Sequence, residues 1–355
     1  MRLLVVNTPV GPWGSGRGGG VELTATALVA GLLQRGHALT VLAGEGSCLP
    51  ASCSAATLWI EAGEPQPSCQ HQQRSAPITM PADGLLPALW QRALAEQAQF
   101  DVILNLAYDW LPLWLTPLAT TPVAHLVSMG SVGEAMDRLI SQLSRSHPAQ
   151  LAFHTASQAA DFQLAAPPLL VGNGFDLQRY QFCADSQPQL GWAGRIAPEK
   201  GLEDAAWVAA ELGLPLKVWG YREDAGYAEA VAASVPEGTL VWRGFLPTDQ
   251  LQAELGPCGA LLNTPKWNEA FGNVVVEAMA CGVPVAAYAR GGPGELVVEG
   301  VNGALACPDD RQALRAATER ALAVGRRGCR AWAEQHCSQE AFASRIEAWL
   351  LQLAG

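Results

Sequence analysis

Apolar residues along the chain fall into short blocks that alternate between two periods. Residues 3–6 are an unbroken apolar run, the pattern of a strand buried on both faces. Residues 21–33 then carry apolar positions at helical spacing, and Gly36 closes them. Residues 38–43 read as a second buried strand. Residues 85–98 predict a helix, 102–106 and 123–127 strands, 132–143 a helix, and 151–154 and 169–171 short strands. Residues 44–84, rich in Pro, Ser, Gln and Cys, show no period and read as a long surface excursion. The proline-broken run "WLPLWLTPLA" (110–119) reads as buried or as a pocket wall.

At 182–189, "FCADSQPQ", the pattern stops, which marks a candidate linker. A second series follows: strand 190–193, helix 202–212, strand 216–219, helix 225–233 and strand 239–242. Strand 259–263, helix 272–281 and strand 283–287 continue it, and 311–353 reads as two or three helices. Strands alternating with helices mean parallel sheets. The expected fold class is therefore α/β, with two doubly wound Rossmann-like domains facing a cleft. Domains of this kind bind ligands beyond the carboxyl ends of their strands.

Composition narrows the class. The chain has 355 residues, 49% hydrophobic and 15% charged, so it is globular. A net charge of −11 argues against nucleic acid as a partner. The nine cysteines form no C-x-x-C and no zinc-site spacing, which suits reduced thiols in a cytoplasmic protein. No apolar run reaches the roughly 18 residues of a membrane span, and residues 1–6 are too short for a secretory leader.

Two stretches carry candidate chemistry. In "GPWGSGRGGGVE" (11–22), Gly14, Gly16 and Gly19 fit G-x-G-x-x-G between a strand and a helix. With Glu45 near the end of the second strand, this keeps an NAD-dependent oxidoreductase open as an alternative. The turn is long for a dinucleotide fingerprint, however. In "NEAFGNVVVEAMACGVPV" (268–285), Glu269 sits in a loop and Glu277 lies eight residues on, inside a helix that Gly272 opens. A loop carboxylate can accept hydrogen bonds from sugar hydroxyls, and a helical one can chelate a ribose diol. The amides near Asn273 and Val274 can hold a diphosphate between them. "GWAGRIAPEKG" (191–201) supplies two cations after a strand, Arg195 and Lys200.

These residues, with "GGGVE" (18–22), "GNGFDLQRY" (172–180) and "RGFLP" (243–247), resemble glycosyltransferase family 4 over nearly the whole chain. The resemblance implies the GT-B architecture. An acceptor-binding domain would span 1–170 and a nucleotide-sugar domain 171–337, with a final helix, 338–355, packing back on the first. It also implies transfer of a hexose from a nucleotide donor with retention. Glu269, Arg195 and Lys200 would be the catalytic groups. The donor would meet Gly18, Gly19, Gly20, Gly244, Phe271, Gly272, Asn273, Val274 and Glu277 as well as the two cations. Many family members place a His near the donor sugar. Here that position is His125 or Ser128, and Ser128 fits better because His125 lies within an apolar run.

No D-x-D motif is present, so no metal and no cofactor is expected. The basic pair and a helix N-terminus would neutralise the leaving diphosphate. The N-terminal stretches "NLAYDWLPLWLTP" and "AHLVSMGS" are similar to those of the UDP-glucose:tetrahydrobiopterin glucosyltransferases within the family. That likeness implies UDP-glucose as donor and a pterin acceptor held among Trp13, Tyr108, Asp109, Trp110, Ser128 and Met129; the alternatives are that the aromatics pack the core, and that the chain is a family 4 transferase with another donor or with a sugar, lipid or sugar phosphate acceptor. The expected partners are thus a nucleotide sugar and a small acceptor.

Overall fold

The unbroken apolar runs lie in the middle of two parallel sheets. In the computed structural model, residues 1–15, 20–67 and 73–355 are described. They form two units, one of Met1–Phe175 with Gln339–Gly355, the other of Asp176–Ser338.

The first unit runs β1 (Arg2–Val6), α1 (Gly20–Gln34), β2 (Ala38–Gly44), β3 (Thr57–Glu61), α2 (Leu85–Glu96), β4 (Val102–Asn105) and α3 (Trp110–Leu115). It continues through β5 (Val123–Val127), α4 (Glu134–Ser146), β6 (Leu151–Phe153), α5 (Ala156–Ala160) and β7 (Leu169–Leu170). The strand order is β3-β2-β1-β4-β5-β6-β7, and neighbouring strands pair in parallel. Leu3 to Val6 are fully buried because helices cover both faces of the central strands.

The second unit runs β8 (Leu190–Ala193), α6 (Leu202–Leu212), β9 (Leu216–Trp219), α7 (Ala225–Ala233), β10 (Leu240–Gly244) and α8 (Thr248–Leu255). Then come β11 (Ala260–Asn263), α9 (Asn273–Ala280), β12 (Val285–Tyr288), α10 (Gly291–Leu296), β13 (Gly303–Ala306), α11 (Arg311–Leu322) and α12 (Arg326–Cys337). Its parallel sheet has the order β10-β9-β8-β11-β12-β13. Each sheet reverses its direction of growth once, between β1 and β4 in the first and between β8 and β11 in the second. Those two points are where doubly wound sheets open for ligands.

The last helix, α13 (Gln339–Ala354), belongs to the first unit and packs on α1. Phe342 and Ile346 are fully buried, and Glu347 takes Arg35 at 2.5 Å and His37 at 2.8 Å.

Three expectations are corrected. The excursion over 44–84 contains β3, an edge strand that pairs with β2 and is partly exposed on both faces, so it shows no alternation. The stretch 182–189 is no linker. Cys183 N donates to Cys281 O at 3.0 Å, Gln187 N to Pro257 O at 2.8 Å, and Arg326 Nε to Cys183 O at 2.7 Å. The border expected at 170/171 falls instead at Phe175/Asp176. Val171 N still bonds Phe153 O at 2.9 Å, and Phe175 O accepts from Gln339 N at 2.9 Å.

Gly31 on α1 lets α13 approach closely, since a Cβ there would lie 2.5 Å from the Ala343 methyl. Gly31→Val is expected to destabilise the protein by about 1–3 kcal/mol. Adding Ala343→Gly should recover part of that loss. Paired urea unfolding curves check both.

Candidate active site

The loops leaving β8 and β11 flank the reversal point of the second sheet. The β8 loop holds Arg195, then the short helical turn Pro198–Lys200. Gly201 follows at φ 64° and opens α6, and a Cβ there would sit 2.1 Å from Thr264 O. Only glycine lets the loops come this close. Thr264 Oγ1 donates to Lys200 O at 3.1 Å, Trp192 Nε1 to Thr264 Oγ1 at 3.1 Å, and Lys266 N to Glu199 O at 2.8 Å.

This contact delivers the Lys200 ammonium to the carboxylate of Glu269, which is 8% exposed. The ammonium also lies 5.2 Å from the Trp267 ring centroid. A carboxylate taken out of water needs such a partner, and Lys200 supplies the charge. Gly291 and Gly292 press on the other side. A Cβ at Gly291 would come within 2.6 Å of Glu269 N, and Gly292 N donates to Glu269 O at 2.7 Å.

Phe271 is buried, and Gly272 at φ 94° turns the chain into α9 without a side-chain cap. A Cβ at Gly272 would crowd Pro293 at 2.9 Å. Asn273 and Val274, half-buried, begin the helix, whose N-terminal end favours an anion. Glu277 lies one turn further in and is 8% exposed. Tyr180 Oη donates to Glu277 Oε1 at 3.0 Å. Burial raises the Glu277 carboxyl above its ordinary value, and the Tyr180 hydrogen bond opposes that rise. Arg330 on α12 fastens the arrangement, donating to Tyr180 O at 2.8 Å, Ala280 O at 2.7 Å and Leu177 O at 3.0 Å.

The structure thus gathers Lys200, Glu269, Phe271, Gly272, Asn273, Val274 and Glu277. Arg195 stands on the same loop as Lys200 but is held by Glu199 at 2.7 Å and Glu223 at 2.5 Å. Gly244, at φ 71°, ends β10 and accepts from Gly220 N at 2.9 Å. Sequence reasoning gave no role to Trp267, Tyr180 or Arg330. Tyr180 stood inside the quoted "GNGFDLQRY", but nothing in its spacing pointed to Glu277.

In the first unit, Gly18 and Gly19 lie outside the described residues, and Gly20 begins α1. Trp13, expected in an acceptor slot, is instead a core residue. It is 1% exposed and donates from Nε1 to Thr26 Oγ1 at 3.3 Å, which removes it as a stacking surface. Tyr108 is buried and donates to Gly130 O at 3.1 Å. Asp109 caps α3 by accepting from Leu111 N at 3.3 Å, and burial raises its carboxyl. Trp110 stacks on the half-exposed Trp114, centroids 5.4 Å apart. Met129 O accepts from Gln158 Nε2 at 2.9 Å. Ser128 Oγ is buried without a hydrogen-bond partner among the described residues. His125 is a packed strand residue between Asn105 at 3.1 Å and Thr116 at 2.7 Å, and burial pushes it down to about 3. Among the described residues no His, Cys, Asp or Glu group is placed to hold a metal ion. No helix there is long and apolar enough to cross a membrane.

Comparison with known proteins bears on the family and the fold. The family model for glycosyl transferases group 1 matches residues 181–335. The 2-deoxystreptamine glucosyltransferase of Streptomyces kanamyceticus is 34% identical over 151 residues, covering 41% of this chain and 39% of that enzyme. The phosphatidyl-myo-inositol mannosyltransferase of Propionibacterium freudenreichii is 27% identical over 303 residues, covering 78% and 75%. The chain spans only 39% and 27% of the first two curated relatives it matches. Among solved structures, AviGT4, a glycosyltransferase involved in avilamycin A biosynthesis, matches with a TM-score of 0.72 at 20% identity, over 100% of this chain and 98% of that one. HepE of Anabaena in complex with UDP matches with a TM-score of 0.74 at 19% identity, over 99% and 100%.

Because Glu277 is raised by burial, its ionisation above the ordinary carboxylate range works against folding. A raised folded value means that the native state keeps the proton longer than the unfolded chain does. This group's contribution to stability therefore falls as pH rises from about 4.5 through its folded value. Glu277→Gln should gain stability relative to the parent between pH 5 and pH 8, read from urea midpoints at both. Residues 181–335 carry the glycosyl transferases group 1 signature, on a chain whose two parallel-sheet α/β units have the fold of GT-B glycosyltransferases.

Proposed function

We propose that the chain is a retaining, metal-independent glycosyltransferase that moves glucose from UDP-glucose to a small hydroxylated acceptor, tetrahydrobiopterin. The observation that carries the transferase reading is the pair of buried carboxylates, Glu269 and Glu277, either side of the α9 N-terminus, with Lys200 seated on the first. An oxidoreductase reading leaves that arrangement without a task.

In the proposed reaction Glu269 accepts hydrogen bonds from the hexose hydroxyls and Glu277 from the ribose. The helix N-terminus and Lys200 face the diphosphate, and Arg195 joins them once it leaves Glu199 and Glu223. The bond from the anomeric carbon to the diphosphate breaks, and the acceptor oxygen bonds to that carbon from the same face. The acceptor proton passes to the departing phosphate, giving UDP and the glucoside. Cations and amide dipoles fixed in advance stabilise the charge that develops on the leaving group.

The donor choice is supported by the fold neighbour whose crystal holds UDP. The pterin acceptor rests on the sequence likeness of the first unit. With Trp13 in the core, the stacking surface there falls to Trp110 and Trp114.

A panel of UDP-glucose, UDP-galactose, GDP-mannose and ADP-glucose, crossed with tetrahydrobiopterin, 2-deoxystreptamine and myo-inositol, tests the reading by mass spectrometry. The expected result is one hexose gained by tetrahydrobiopterin from UDP-glucose, undiminished by EDTA. Glu269→Gln and Lys200→Ala should each lower kcat about 100-fold, roughly 3 kcal/mol of barrier. Release of no nucleoside diphosphate from any donor would sink the proposal.

A further inference from the structure

Asp309 is the one non-glycine residue among those described with a left-handed backbone, at φ 63°. It follows β13 and precedes Asp310, whose carboxylate caps α11 by accepting from Gln312 N at 3.0 Å and Ala313 N at 2.9 Å. Aspartate tolerates this conformation better than most residues, yet glycine would adopt it with no steric cost. What Asp309 adds over glycine is a carboxylate. That carboxylate accepts from both terminal nitrogens of Arg290, one of them at 3.2 Å, and lies 3.3 Å from the Lys266 ammonium. The Asp309 side chain is half exposed, so solvent screens these pairs and limits what they add to folding. A less favourable backbone kept for an interaction of small structural value points to a task at the site.

Both cations lead to Glu269. Arg290 donates to Pro265 O at 2.9 Å. Lys266 N donates to Glu199 O at 2.8 Å, next to Lys200, while its ammonium pairs with the buried Asp204. Tyr288 Oη holds that same Asp204 at 2.7 Å. Residues 265 and 266 are thus tied to the β12 turn and to the β8 loop. Arg290 also runs directly into Gly291 and Gly292, whose backbones lie against that of Glu269.

We propose that Asp309 is a positioning residue, which through Arg290 and Lys266 fixes the 265–269 loop and so aims the Glu269 carboxylate and its Lys200 partner. The inference rests on the reading of Glu269 as the contact to the donor sugar. Its chemistry differs from a structural ion pair in one respect: removing the carboxylate costs turnover without costing stability.

Asp309→Gly relieves the backbone and removes the charge, Asp309→Asn removes the charge alone, and Glu319→Gln on the exposed face of α11 serves as control. Three quantities are read for each: melting temperature, kcat and donor KM for UDP release from UDP-glucose, and hydrogen exchange at the Lys266 and Gly292 amides. For Asp309→Gly we expect an unchanged or higher melting temperature, kcat lower by about 10- to 100-fold with a smaller change in KM, and faster exchange at both amides. Asp309→Asn should fall between it and the parent, and Glu319→Gln should match the parent. Unchanged exchange, kcat within about twofold of the parent, or activity that falls only in step with melting temperature would each overturn the inference. Glu269→Gln separates the two ideas. If it leaves UDP release untouched, the donor-site reading fails while amide exchange still decides what Asp309 holds. If it abolishes release and Asp309→Gly does not, only the positioning role fails.

Discussion

A carboxylate that the fold takes out of water needs a compensating partner, and for Glu269 that partner is the Lys200 ammonium. The two belong to different loops, one after β8 and one after β11, which meet where the second sheet reverses direction. Their pairing demands that backbones approach at van der Waals distance, and the local sequence reads as the means to that approach. Gly201 admits Thr264 O, while Gly291 and Gly292 admit the backbone of residues 269–271. In the proposed reaction the ion pair also sets how a ligand enters. An anion arriving at the α9 N-terminus competes with Glu269 for Lys200, while hydroxyl groups compete with Lys200 for Glu269. In the proposed reaction a nucleotide sugar brings both at once, so each half of the broken pair acquires a new partner.

The second carboxylate is handled differently. Glu277 has a tyrosine hydroxyl in contact, with the Arg179 cation acting only at longer range, and burial dominates its proton affinity. One buried acid is thus held by a charge and the other by a neutral donor. In the proposed reaction the first suits a group that changes partner during turnover. The second suits a group that accepts hydrogen bonds from a diol at modest cost when the site is empty.

Strands buried on both faces, such as β1, β2, β8 and β11, were legible because their apolar runs are continuous. The edge strand β3 was not, since neither of its faces is fully covered, and β13 was not because "GALA" carries too little hydrophobic surface to stand out. Its glycine is packed so closely that a Cβ would lie 2.0 Å from Val285 O. Gln, Pro and Ser in 182–189 looked like a linker although backbone hydrogen bonds fasten that segment. Composition reports what a segment could do without partners, and these partners come from 70 and more residues away. The same limit applies to the site. Glu269, Glu277 and Lys200 stood out through spacing against glycines and apolar neighbours, whereas Tyr180, Trp267, Arg330 and Asp309 act through tertiary contacts that no local pattern encodes.

The first unit shows why the transferase fold was easier to read than the acceptor. Aromatic side chains after a strand have the same sequence signature whether they stack on a ligand or fill a core. Trp13 fills the core, Tyr108 is tied to Gly130 O, and Trp110 leans on an exposed Trp114. Recognition of a diphosphate relies on backbone amides, glycines and a few cations, features that impose strict spacing and therefore leave a trace in sequence. Recognition of a small acceptor relies on shape and on individual polar atoms, and many sequences can supply those. Chemistry carried by the main chain is written in the positions of glycines, whereas chemistry carried by side chains becomes visible only when folding decides which of them face inward.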